Sequence, residues 1–155
     1  MLWPDMTWMF ILAYDVWNFQ YTYLNLPTHS WYCGVALLLA PTFAAAFWNK
    51  GGWIQNRANT LALWCMFAQV FPLFQDQGKF AVIPRLYADG FMDAATHPTA
   101  VDPTAQGVIS VLSIVVNVVV FAAIIKRSMK LKKNPYKDEI WKGTKDYEEA
   151  MSRAE

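Results

Sequence analysis

Asp15 is the residue whose type and place most invite chemistry. It is the only charged residue between Trp8 and Leu24, a run that reads WMFILAYDVWNFQYTYL. A carboxylate halfway along a membrane helix costs about 2.5 to 3.5 kcal/mol on insertion scales, so it requires a partner or a purpose. Asn18 and Thr22 follow at offsets of three and seven and share its helix face. Ser110, Ser113 and Asn117 repeat that spacing in a second apolar run, Gly107 to Ile125, with Asn117 about midway. Gln69 falls about one turn nearer the outside, so Asp15, Asn18, Thr22, Gln69, Ser113 and Asn117 are expected to form a polar centre.

Two readings of that centre compete. In one, the amides and hydroxyls hydrogen bond between helices at roughly 0.6 kcal/mol each, and Asp15 is held as a neutral acid. In the other, Asp15 is a proton relay or the counter-ion of a cationic substrate, with Tyr14, Trp17 and Tyr21 lining the approach.

Other chemistry has weaker roots. His29 and His97 are single loop residues without metal-ligand spacing, and no metal site is expected. Cys33 and Cys65 should differ in depth by roughly 10 Å, more than a disulfide tolerates, and are expected to be free, packed thiols. No nucleophile elbow and no helical HExxH is present, which makes an enzyme the weakest class. Gly51 and Gly52 lack the Walker pattern and its preceding strand, so a phosphate cradle is not expected. No cofactor is indicated, and no nucleic-acid partner is expected.

The elements that must position these residues are four apolar stretches: Trp8 to Leu24, Trp31 to Trp48, Ala58 to Phe74 and Gly107 to Ile125. Among 155 residues, 55% are hydrophobic and only 16% charged, too few charges for the polar face of a soluble bundle. The mean hydropathy of +0.17 is held down by Trp, Tyr and a charged tail. A run near 20 apolar residues matches the roughly 30 Å hydrocarbon core. The expected fold is therefore an all-α polytopic membrane protein, a bundle of about four helices at 5–25, 31–48, 54–74 and 103–132. A 75–102 outer loop and a 134–155 charged tail complete it, with 1–133 as the membrane domain.

Charge placement orients the bundle. Lys50 and Arg57 lie in the short second connection and nine further basic residues follow Ile125, so eleven of the 13 share one side. The positive-inside rule makes that side cytoplasmic, with both termini there. Lys126, Arg127, Lys130, Lys132 and Lys133 would form a collar at lipid headgroup depth. Trp8, Trp31 and Trp48 mark helix ends as an interfacial belt. Ala36, Ala40 and Ala44 form a smooth stripe on which helices could pair, and Pro41 should bend the second helix. Pro4 and Asp5 should open the first helix, and with no basic n-region or cleavage site the N-terminus is expected to be retained.

The segments WPDMTWMFILAYDVWNFQYTYLNLPTHSWYCGVALLLAPT, NRANTLALWCMFAQVFP and KKNPYKDEI resemble an uncharacterised family of bacterial multi-pass membrane proteins. The likeness spans nearly the whole chain, which looks like the C-terminal half of longer members. It implies a bacterial inner membrane and transfers neither substrate nor catalytic residues. The expected function is a transporter-like, small-molecule or ion-handling bundle around Asp15. The alternatives are a non-catalytic membrane subunit or scaffold and, less favoured, a membrane enzyme acting on a lipid or quinone. Expected partners are membrane lipids and a second copy or another membrane chain.

Overall fold

The computed structural model describes residue 3 and residues 6–24, 31–70 and 103–152, and of residues 31–33 and 68–69 only the backbone. Every regular element among them is helical. They are α1 (Trp8–Asn18), which continues as a π-helical turn (Phe19–Leu24), α2 (Trp31–Phe47), α3 (Trp53–Val70), α4 (Pro103–Leu131) and α5 (Lys145–Ser152).

The first helix begins at Trp8, three residues later than Pro4 and Asp5 predict. The entry segment is held elsewhere: Trp3 N–H donates to the Gly51 carbonyl at 2.8 Å, and Met6 N–H turns back onto the Trp3 carbonyl at 3.1 Å. Thr7 is the cap residue, and its carbonyl accepts the first helical bond from Ile11 at 3.0 Å.

α2 and α3 form a hairpin through Trp48 to Gly52, closed by Gly52 N–H on the Asn49 carbonyl at 2.9 Å. Gly51 takes φ of 84°, a left-handed conformation that suits glycine. The side chains of Asn49 and Asn56 pair amide to amide at 3.2 and 2.6 Å, pinning the turn to the first turn of α3. Arg57 consequently lies one turn inside α3, not in the connection to which its charge would assign it.

α2 packs chiefly on α3, and α1 on α4, while the π turn joins the two pairs by packing against α2 and α4. Tyr23 packs directly on the backbone of α2 at Gly34. Its ring root lies where a Cβ on Gly34 would stand, at 2.1 Å from Cγ and 2.4 Å from Cβ. With Leu37 and Leu38 it forms one buried cluster, and Met6, Ala45 and Trp53 form another. The Ala36 and Ala40 positions of the predicted stripe are exposed, so close packing of α2 uses Gly34, Pro41 and Ala45 instead.

Among the described residues one helix, α4, is long and apolar enough to cross a membrane: 29 residues, with a mean hydropathy of 2.9 over its best 18-residue window. Only 11% of that window is buried. Among the described residues the other helices do not meet that measure: the first helix changes winding after Asn18, α2 is 17 residues long, and α3 opens with Gln55, Asn56, Arg57 and Asn59. The expected 75–102 loop, with His97, lies outside the described residues, as does His29. Cys65 is an exposed thiol on α3 and not a packed one.

Substituting Gly34→Ala should lower stability by about 1 to 3 kcal/mol, since the new methyl overlaps a side-chain root that cannot swing away. A drop in the unfolding midpoint of the detergent-solubilised chain, absent for Gly107→Ala, which meets no atom within 4 Å, would show it.

Candidate functional site

Asp15 is 8% exposed and stands at the junction of α1, α2 and α3. Thr42 Oγ donates to its Oδ2 at 2.6 Å, and the Trp53 indole N–H donates to Thr42 Oγ at 2.9 Å. An indole can only donate, so the Trp53 bond occupies an acceptor position of the hydroxyl and leaves its proton for the Asp15 carboxylate, whose Oδ2 accepts. The other carboxylate oxygen, Oδ1, is buried and has no hydrogen-bond partner.

Arg57 lies one turn beyond Trp53 on the same face of α3, and its charge reaches Asp15. Its Nη2 donates to Tyr23 Oη at 3.5 Å, whereas Nε and Nη1 are buried without a partner. Asn18 Oδ1 is a further buried, unpartnered acceptor, although its amide nitrogen reaches Thr22 Oγ at 3.4 Å. Unmet donors and acceptors thus concentrate around Asp15, where most proteins satisfy such groups.

Asp15 also forms part of the wall of a cavity of about 470 Å³. α1 contributes Trp8 and Leu12, the π turn Phe19, α2 Leu38 and Thr42, and α4 closes one side with Ile109 and Leu112. α2 packs more extensively on the π turn than on α1 itself, and the cavity lies between them. Its lining is mainly apolar apart from Thr7, Asp15, Thr42 and the ionic group at the Lys50 end.

The predicted centre is divided, not single. Asn117 Nδ2 donates to the Ser113 carbonyl at 2.8 Å and the Ala13 carbonyl at 3.4 Å, with the Ser113 side chain buried beside α1. Ala13 and Asp15 are about 200° apart around the helix, so Asn117 meets the face opposite the carboxylate. Tyr14, Trp17 and Tyr21 do not line the approach to Asp15 either. Tyr14 packs edge-on against Trp53 at 5.0 Å, Trp17 stacks on Tyr21 at 5.8 Å, and Tyr14 and Trp17 border a smaller cavity of about 160 Å³ beside Asn117. The Gln69 side chain lies outside the described residues. Sequence reasoning missed Thr42, Trp53 and Arg57. Their signal was an i, i+4 pair, Trp53 and Arg57, at the start of a helix facing an apolar partner with a single hydroxyl.

The basic collar divides as well. Lys126, Lys130, Lys132 and Lys133 are exposed, but Arg127 Nε donates to the Ile140 carbonyl at 2.5 Å and its guanidinium lies 4.7 Å from the Trp141 ring centroid. Arg127 therefore fastens the tail. Lys50 Nζ binds Asp146 Oδ1 at 3.0 Å and Glu149 Oε2 at 2.6 Å, so the α2–α3 turn and α5 share one end of the bundle.

The chain belongs to the family of unknown function DUF5692, whose profile matches residues 1–153. No curated protein and no solved structure matches it.

Two outcomes test this geometry. Thr42→Val removes the donor to Asp15 and the acceptor of Trp53 without changing side-chain size, and should cost about 1 to 3 kcal/mol in equilibrium unfolding. The Lys50 ammonium is held above its ordinary 10.5, first by Glu149 and then by Asp146. A raised pKa means the pairing contributes fully below 10.5 and is lost as pH climbs through the higher folded value. Limited proteolysis of the tail should be unchanged from neutral pH to about that value and accelerate beyond it.

Proposed function

We propose that this protein is an integral membrane bundle that binds a small organic cation with apolar substituents, Asp15 serving as its counter-ion. The reading extends to a polytopic arrangement in the bacterial inner membrane with both ends cytoplasmic, and to a transporter-like role. The supporting features are the lipid-length α4 with its uncovered apolar surface, the gathering of basic residues at one end, and the pairing of Lys50 with the tail at that end.

One observation carries the ligand class: a buried carboxylate with one oxygen committed to Thr42 and the other unpartnered, set in the wall of a cavity of about 470 Å³ that is mainly apolar away from its Lys50–Asp146 end. That volume lies within the usual range for small-molecule sites, about 300 to 1,000 Å³. Asp146, the other acid of the cavity, is paired with Lys50; Asp15, among apolar neighbours, attracts a cation strongly because little water screens it, and apolar lining rewards substituents that leave water. The charge of Arg57, which reaches Asp15, tempers the attraction, so the site is poised to exchange its cation instead of retaining it.

Tetraphenylphosphonium and tetraphenylborate, ions of one shape and opposite charge, separate the electrostatic component from the apolar one. The cation should quench the fluorescence of Trp8, a cavity residue, saturably in the full-length chain in detergent, and the borate should not. Asp15→Asn should weaken the cation at least tenfold, on the order of 1.4 kcal/mol. Equal binding of the cation by Asp15→Asn, or equal binding of the two ions by the parent, would remove Asp15 from this role.

A further inference from the structure

The same cavity that reaches Asp15 ends against Lys50, Gly51 and Asp146, and Asp146 belongs to the tail helix α5, more than 90 residues beyond the turn it touches. One wall of the cavity mouth is thus supplied by a segment outside the bundle. Asp146 and Glu149 are three residues apart on α5, a spacing that points both carboxylates to one side, where Lys50 receives them. Tyr147 and Ala150 are buried, and Tyr147 Oη donates to Glu139 Oε2 of the preceding tail.

The chain leading to α5 is built to hold one part and release another. Arg127 clamps the Ile140 carbonyl and covers the Trp141 ring, fixing the approach. Gly143 follows with φ of +82° and no atom within 4 Å of where a Cβ would be, a left-handed residue in open space. Thr144 then starts α5, its carbonyl accepting from Glu148 N–H at 3.0 Å. Beyond Gly143 the helix is tied to its own approach by Thr144 N–H and Oγ on the Trp141 carbonyl at 3.0 and 2.7 Å, by Gly143 N–H on Glu148 Oε1 at 3.1 Å and by Tyr147 Oη on Glu139 Oε2 at 2.6 Å. Its ion pairs to the α2–α3 turn are those of Lys50. The side chains in those ion pairs are 30 to 40% exposed, and pairs of that exposure are weak and screened by salt.

We propose that α5 is a latch over the cavity mouth at the Lys50 end, with Lys50 as its catch. Seated, it restricts passage of water and solutes between that face and Asp15. Raised ionic strength, or an anion competing for Lys50, releases it. The inference uses the cavity of the proposed function but not the identity of its ligand.

Thiol accessibility in the full-length chain tests it. Ala45 is a buried cavity residue; Ala45→Cys in a Cys33→Ser, Cys65→Ser background is treated with a neutral, water-soluble maleimide in detergent. Labelling should be slow at low salt and accelerate several-fold near 1 M salt, where the screening length falls to about 3 Å. Lys50→Gln should label at least tenfold faster than its parent at low salt and lose the salt dependence. Reversing the pair, Lys50→Glu with Asp146→Lys and Glu149→Lys, should restore slow labelling, which a general loosening of the fold would not do. Leu12→Cys, also in the wall, serves if Ala45→Cys does not fold. Parent-like labelling of Lys50→Gln at both salt concentrations overturns the latch, as does failure of the reversed pair to protect. Cation affinity at Asp15 is read separately by fluorescence, so the latch and the counter-ion role can fail independently.

Discussion

The hydroxyl of Thr42 joins three helices with one proton. It donates to Asp15 on α1 and accepts from Trp53 on α3, while its own backbone belongs to α2. Because an indole has only a donor to offer, the hydroxyl accepts from Trp53 and keeps its proton for the carboxylate. Asp15 is thereby fixed in orientation, with Oδ2 occupied and Oδ1 left without a partner. The orientation follows from the relay, and so does the chemical meaning of the cavity that Asp15 borders.

The first helix acts as a partition. On one face it carries Asp15 toward α2, α3 and the larger cavity; on the other, Ala13 presents its carbonyl to Asn117 of α4. The π turn that ends this helix brings Tyr23 down onto the α2 backbone at Gly34. π-helical turns are common at functional sites, where the extra residue re-aims side chains; here Tyr23 and Leu24 are aimed inward and Tyr21 outward.

The opposite end is organised by charge. Lys50 gathers two carboxylates from a helix that is remote in sequence, and Arg127 secures the connecting chain through a carbonyl and an indole. Both arrangements use basic residues that a count of charges alone would send to lipid headgroups or solvent. The four exposed lysines of the collar remain available for that purpose.

The amino-acid sequence by itself determined the helical class, the positions of α2 and α4 to within one residue, and Asp15 as the residue that demands explanation. These are properties of local composition: apolar run length, turn-forming Asn, Lys and Gly, and the cost of a charge among apolar neighbours all act within a few residues. Which groups meet Asp15 was decided only by tertiary structure. Helical periodicity says that Asp15, Asn18 and Thr22 share a face, but not which neighbouring helix that face touches. Similar depth made Asn117 look like a partner, whereas the 200° or so between Ala13 and Asp15 placed it on the far side. Thr42, Trp53 and Arg57 were unremarkable residues until the hairpin of α2 and α3 set them against α1. Contacts between residues 27 or 96 positions apart, such as Thr42 with Asp15 and Lys50 with Asp146, depend on how whole helices pack, and no local pattern encodes them.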